Sequence, residues 1–395
     1  MRPCLLASAI ALTSLFALPA VAASKPQALT FTPLGTYQSG LFEQSAAEIV
    51  AHDARSQRLF VVNAANARID VLDIRNPAQP SLLFSIDLSA YGSGINSVAV
   101  HKGLVAAAVE NAIKTEPGKV VLMNVDGQVQ GAVDVGALPD MLTFTADGRH
   151  ILVANEGEPS DDYQQDPEGS VSIIGLPSRL SRLRQGDVRT ADFRRFSRAQ
   201  LDPSVRIFGP NASVAQDLEP EYISVDKDGR RAWITLQENN AVAELDIRHG
   251  RITAVHGLGY KDHSLSGNEL DASDKDNAVT IRNWPIRGLY QPDAISNFKH
   301  HGKTYLVTAN EGDARAYSGY NEEIRLGSAA YLLDPLQFPD AVSLKQNANL
   351  GRLTVSKASG LNPASGTYQA IYAFGARSFT IWNSDLKPVY DSGSE

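Results

Sequence analysis

The stretch Leu138–Glu158, LPDMLTFTADGRHILVANEGE, decides the fold class. Leu138-Pro139-Asp140 reads as a turn and Met141–Thr145 as a short strand. Asp147-Gly148 is a hairpin turn, His150–Ala154 the returning strand, and Asn155-Glu156-Gly157-Glu158 a polar ending. Asp-Gly between two apolar runs is a strong hairpin signal, because glycine supplies the positive φ that tight turns need. The pattern recurs in LEPEYISVDKDGRRAWITLQEN (Leu218–Asn239) and QPDAISNFKHHGKTYLVTANEGD (Gln291–Asp313). A weaker copy is AAEIVAHDARSQRLFVVNAAN (Ala46–Asn66). Copies this similar mark a repeat architecture.

Working outward, the first copy continues through strands at Arg68–Ile74 and Ser81–Leu88, and the next unit opens at Ile95-Asn96-Ser97-Val98. That second unit has strands at Leu104–Val109, Lys119–Val125 and Gln128–Val135. Four short strands per unit of about 40 to 50 residues is the blade of a β-propeller. The third unit runs on to Ser170–Gly175 and the fourth spans Leu218–Gly257. The fifth starts at Gln291, and a last unit covers Tyr368–Tyr390, with strands at Gln369–Phe374, Ser378–Asn383 and Pro388–Asp391. Insertions are expected at about 176–216, 258–289 and 313–350, the first Arg-rich with a helix near Ser197–Leu201. The expectation is a single all-β domain over 23–395, a propeller with about six detectable blades and the closing blade missing.

Composition bounds the partners. With 43% hydrophobic residues a sizeable core is possible, and the formal charge of -8 disfavours duplex nucleic acid, which is held through Lys and Arg on phosphates. The Arg-rich insertion could bind phosphate groups, though a solvated face pairing with acidic surface is the plainer reading. Cys4 is the single cysteine, so neither a disulfide within the chain nor a cysteine metal site is available. Arg2, the apolar run Leu5–Leu18 and Ala20-Val21-Ala22 read as a cleaved signal peptide over 1–22. The expected mature chain is exported to the periplasm, cell surface or medium, with no transmembrane span.

In a propeller blade the innermost strand and the next run antiparallel, so the start of one and the end of the other share a face. The starts carry Glu48, Asn96, Asp140, Glu221 and Asp293; the return ends carry Asn63, Glu110, Asn155-Glu156, Gln237-Glu238 and Asn310-Glu311. Carboxylates gathered at one mouth repel unless some protonate or a cation joins them. Calcium and magnesium take oxygen ligands of this kind. The expected metal ligands are Glu48, Asp140, Glu156, Glu221, Glu238, Asp293 and Glu311, holding a divalent cation, calcium above others. Two further acidic runs, Glu156–Glu168 and Asp271–Asn277, offer other oxygen donors, the second with Asp at alternating spacing but without the Gly and distal Glu of an EF-hand. Catalytic motifs are sparse: G-x-S-x-G and H-E-x-x-H are absent, and His300-His301 reads as a solvated turn.

Beyond the repeats, the phrases LGTYQSGLFEQSAAEIVAHD, LPDMLTFTADGRHILVANEGEPSDDY, DLEPEYISVD, GYKDHSLSGNELDASDKD, NWPIRGLYQPDAI, TANEGDARAY, LGRLTVS and FGARSFTIWN resemble the choice-of-anchor I family. The resemblance covers nearly everything after Pro33. It implies an exported seven-bladed propeller, usually carried by a variable C-terminal anchor. The family includes mesenchyme-specific cell-surface glycoproteins linked to biomineralisation and bacterial members labelled alkaline phosphatase. Relatives continue past VYDSGSE through an acidic segment and a closing blade, so this chain is expected to be a fragment or an early-ending member. Three functions follow as expectations: a propeller binding a cation and a small-molecule, mineral or extracellular ligand; a metal-dependent phosphoesterase, with hydroxide generated on ions held by the ring; or a plain interaction scaffold. No catalytic residue is assigned.

Overall fold

At Asp147-Gly148 the chain turns as its sequence requires. Gly148 sits at φ 70°, its N–H donates to the Thr145 carbonyl at 2.8 Å, and the Thr145 hydroxyl donates to Asp147 Oδ1 at 2.7 Å. Asp228-Gly229 repeats the turn, with Gly229 at φ 63°. His301-Gly302 and Lys102-Gly103 close two-residue hairpins in which both residues have positive φ, the geometry that matches strand twist. The computed structural model describes residues 29–394 apart from Ser45, Ala65 and Asn66. The expected signal segment and Cys4 lie outside the described residues.

Each repeat folds as a four-stranded antiparallel meander. The first sheet is β1 (Val50–Asp53), β2 (Arg58–Asn63), β3 (Arg68–Asp73) and β4 (Ser81–Asp87). The second is β5 (Gly94–His101), β6 (Leu104–Glu110), β7 (Pro117–Asn124) and β8 (Val129–Ala137). The third is β9 (Pro139–Phe144), β10 (His150–Asn155), β11 (Ser170–Gly175) and β12 (Val188–Asp192). The fourth is β13 (Ile223–Val225), β14 (Arg231–Leu236), β15 (Ala241–Asp246) and β16 (Arg251–Gly257). Next come β17 (Tyr260–Asp262), β18 (Arg287–Leu289), β19 (Ile295–His300), β20 (Lys303–Asn310) and β21 (Glu323–Arg325). The chain ends through β22 (Thr354–Ser356), β23 (Leu361–Asn362), β24 (Thr367–Tyr368), β25 (Tyr372–Ala373), β26 (Ser378–Asn383) and β27 (Pro388–Asp391).

The first strands of successive sheets are neighbours: β1 meets β5, β5 meets β9, β9 meets β13, and β13 meets β19. That radial succession makes the fold propeller-like. Period-two alternation then gives each blade two faces in two different cores. Leu152 packs with Ile173, Ile234 and Ala243 between the third and fourth blades. Its neighbour Val153 packs with Leu122 and Leu142 between the second and third. Trp233, Val242, Ile295, Leu306 and Trp382 fill the space between the fourth and fifth. Strands covered on both sides are buried end to end, which is why Val105–Val109 reads as an unbroken apolar run.

Three expectations are corrected in detail. The strands read as a sixth unit complete the fifth: the sheet order is β19-β20-β26-β27, with Leu306 opposite Trp382. The segment expected as that unit's first strand holds only β25, which joins a five-stranded sheet, β17-β18-β25-β22-β21, built from the second insertion and from the chain between β20 and β26. This sheet has its own core of Trp284, Ile286, Leu326, Tyr331, Leu350 and Val355. The first insertion is also shorter than expected, because it contains β12, the outer strand of the third blade. β12 (VRTAD) is mostly exposed or half-buried, so no apolar run announces it. The helix expected near Ser197–Leu201 is a single 3-10 turn at Arg198–Gln200.

Candidate metal centre

Strand pairing builds the centre. Asn155 lies opposite Pro139 after a register shift in the β9–β10 ladder, and the Glu156 N–H donates to the Leu138 carbonyl at 2.9 Å. Asp140 and Glu156 are thereby set side by side at the start of β9 and the end of β10. In the next blade the Glu221 N–H donates to the Thr235 carbonyl at 3.0 Å, which holds Glu221 just ahead of β13. One carboxylate oxygen from each of Asp140, Glu156 and Glu221 lies within 4.8 Å of the others. Among the described residues no side-chain hydrogen bond reaches any of the three.

Burial is the main force on these groups and like charge the second. Glu156 and Glu221 are 9% and 8% exposed. Burial pushes Asp140 from its ordinary 3.8 up to about 7, and the charges of Asp293, Glu158 and Glu48 add to the rise. Glu156 is held well above the carboxylate range by burial, then by Glu221, Glu158, Asp140 and Glu238. Glu221 is raised likewise by burial, then by Glu238, Asp140, Asp293 and Glu219. Glu238 is pushed up to about 7, again first by burial, and its Oε2 is buried with no donor. Ion-free, burial and mutual repulsion favour the protonated form of these carboxyls.

Of the seven expected ligands, the structure brings Asp140, Glu156 and Glu221 into direct proximity. Glu238, Asp293 and Glu48 stand within reach of their charges, while Glu311 acts on Asp293 and Asp313 at the edge. The amides at the return ends do other work. Asn155 Nδ2 donates to Ser170 Oγ and Ser172 Oγ at 3.2 and 2.9 Å, and Asn310 Nδ2 to Ser378 Oγ and Thr380 Oγ1 at 3.0 and 2.7 Å. Asn63 donates to Asp70 Oδ2 at 3.0 Å. These asparagines tie second strands to third strands.

Sequence reasoning named Glu158 only as part of the Glu156–Glu168 run and missed Glu219 and Asp313; the charges of all three act on the same groups. The signal for two of them was in plain view, a second acid two residues beyond the first in NEGE and NEGD. The glycine between is at φ 72° in Gly157 and φ 88° in Gly312, and a Cβ on Gly312 would fall 2.1 Å from the Gly375 nitrogen. Arg315 had no signal at all. It is fully buried, donates to Asp217 Oδ1 through Nη1 and to the Asp217 carbonyl at 2.8 Å through Nη2, and reaches Glu219 at 2.9 Å. Phe208 lies between Arg315 and Arg206, at 4.6 and 4.2 Å from their guanidinium carbons. Arg206 in turn pairs at 2.5 Å with the buried Glu322.

Aromatic rings stand over one side of the acids. Tyr163 meets Tyr317 and Tyr320 edge-on, with centroids 5.7 and 5.9 Å apart. Burial and then the charges of Glu158, Glu219, Glu238 and Glu156 push the Tyr317 phenol upward. Next to Asp140 and Asp293 a channel of about 630 Å³ is walled by β9, β13 and β19, with Met141, Thr143, Tyr222 and Ser296 in its lining.

The other expected features resolve into local structure. Asp274 pairs with Arg352 at 2.6 and 2.9 Å, Asp271 accepts from Ser273 N–H at 3.4 Å, and Asp276 accepts from Ala278 N–H at 3.1 Å. The carboxylates of the Asp271–Asn277 run are thus held by local partners and do not converge. In the Arg-rich insertion Arg189 donates to the Ile247 and Arg248 carbonyls, and Arg194 pairs with Glu168 at 2.6 Å, which is the solvated-face reading.

Radial four-stranded sheets with their acidic corners gathered at one mouth define a β-propeller-like protein. More specifically, the chain belongs to the choice-of-anchor I domain family, whose description matches residues 48–395. None of the curated proteins matches it. Among solved structures it is distantly similar to a chain of a nidogen/laminin complex (14% identity, 53% of this chain and 62% of that one, TM-score 0.34). A second is the Cps50 (Swd1) β-propeller domain of Myceliophteria thermophila (11% identity, 64% and 63%, TM-score 0.38). A third is the hydrazine synthase of Kuenenia stuttgartiensis (14% identity, 67% and 80%, TM-score 0.33). The chain thus spans less than two thirds of the length of the first two. No helix among the described residues is long and apolar enough to cross a membrane.

Proposed function

We infer that this protein is an exported binding propeller that holds a divalent cation of the calcium class on Asp140, Glu156 and Glu221. One observation carries the reading: three largely buried carboxylates approach within 4.8 Å of one another and no described donor answers them. Calcium–oxygen distances of about 2.4 Å allow two ligands of one ion to stand up to about 5 Å apart, so the spacing fits. Glu238 and Asp293 supply further charge at the rim. A mineral surface or an oxygen-rich small molecule would fill the ion's open positions.

Calorimetry with calcium chloride on the chelator-treated full chain tests this. The expected dissociation constant falls at about 10⁻⁵ to 10⁻³ M, from the weakest calcium sensors to extracellular modules. Absence of both heat and thermal stabilisation at millimolar calcium would end the proposal. Metal-dependent turnover of p-nitrophenyl phosphate in the same preparation, lost in Asp140→Asn, would instead make the centre a phosphoesterase.

A further inference from the structure

Lys114, on the loop between β6 and β7, reaches across to the third blade. Its Nζ lies 3.0 Å from Glu158 Oε2 and 3.5 Å from Asp161 Oδ1, and 4.8 Å from the centre of the Tyr317 ring. Glu158 is two residues beyond Glu156, on the turn that Gly157 makes, and its charge acts on Asp140, Glu156 and Glu238 alike. An ammonium group therefore already sits on a carboxylate of the acidic mouth, steadied by an aromatic face. On the far side of Lys114 a pocket of about 660 Å³ opens outward, lined by Ile113, Thr115, Asp161, Gln165 and Ser318. Asp161 is 82% exposed, while Glu158 is 25% exposed and Lys114 30%.

From this geometry we propose that Glu158 is a further cation ligand and that Lys114 is a tethered competitor for it, which sets the affinity of the mouth. The inference rests on the cation reading above. In the ion-free protein the lysine ammonium occupies Glu158. A divalent ion carries twice the charge on a smaller body, so it displaces the ammonium. Lys114 then swings to Asp161 and the outer pocket, keeping an acidic partner on both sides of the exchange. The buried Glu238 Oε2, which has no donor, independently marks the same mouth as short of positive charge. A single lysine on a flexible stem thus makes the site answer to the concentration of the ion.

A double-mutant cycle on the full chain tests the idea, with calcium chloride as the probe in calorimetry of wild type, Lys114→Gln, Glu158→Gln and the double variant. Removing a partly buried ion pair of this kind is expected to tighten calcium binding about fivefold in Lys114→Gln. In the Glu158→Gln background the lysine change is expected to do nothing, because its seat is gone. Wild-type binding with Lys114→Gln unchanged or weaker overturns this inference and leaves the cation reading standing. Tightening that persists in the Glu158→Gln background would mean a long-range charge effect, and also overturns it. No binding in either wild type or Lys114→Gln removes both proposals. Circular dichroism of each variant checks that the fold is retained, and Lys114→Arg, which keeps the cation, is expected to restore wild-type affinity.

Discussion

Arg315 Nη2 lies 2.9 Å from Glu219 Oε1, with neither side chain exposed by more than 1%. The contact is one of charge rather than of aligned hydrogen bonds, since both Glu219 oxygens lack a donor in line. Asp217 takes the hydrogen bonds from the same guanidinium. Burial holds the Glu219 carboxyl well above its ordinary range, and the Arg315 charge offsets only part of that rise.

Arg315→Met is therefore expected to destabilise the protein by about 3–5 kcal/mol, the usual result of stranding a buried charge. The loss should be smaller at pH 5 than at pH 8, because Glu219 can take a proton in place of its partner. Urea unfolding at the two pH values measures this. Equal losses would show that Arg315 acts through its bonds to Asp217 and its packing on Phe208, and not through the charge of Glu219.

Stability should depend on pH through the mouth itself. Asp140 titrates at about 7 in the folded chain against an ordinary 3.8, so between these values the folded state holds a proton that the unfolded state has released. Stability from this group is whole below the ordinary value and is lost as pH rises through about 7. Glu156 and Glu221 act in the same direction. With chelator present, the urea midpoint should fall from pH 5 to pH 8, and millimolar calcium should recover most of it at pH 8. A midpoint rising over that range would refute the sign.

Asp140→Asn separates repulsion from ligation. Without calcium at pH 8 the variant should match or exceed wild-type stability, because one like charge is gone from a buried cluster. With calcium it should gain little, since a ligand is gone as well. Thermal melts in chelator and in calcium give the four values. A full calcium response in the variant would place the ion elsewhere.

Asn155→Ala tests the strut between β10 and β11. The lost bonds leave Ser170 and Ser172 hydroxyls unanswered in a buried place, which should cost about 1–3 kcal/mol. Calcium affinity should change by less than about threefold, because the amide nitrogen is engaged by Ser170 and Ser172. A large affinity loss with unchanged stability would show that Asn155 is a ligand after all.

The sequence by itself determined the blades. Apolar runs such as Ile151–Ala154 mark strands buried on both faces, and the tight turn at Asp147-Gly148 sets their pairing register. Asp147-Gly148 and its copies place the turns, and together these bring Asp140 beside Glu156 and Glu221. Tertiary structure alone decided the rest. β21, β22 and β25 are two or three residues long, too short for any period to show, and they exist because the insertion sheet pairs them. β26 and β27 join β20 across the whole third insertion, and nothing local distinguishes that closure from the start of a new blade. Arg315 meets Asp217 98 residues away, and an arginine reads as exposed until its buried partners are known. Local pattern sets strands and turns because its forces act between near neighbours. Partners and buried charges depend on what distant segments bring, and only the folded chain shows that.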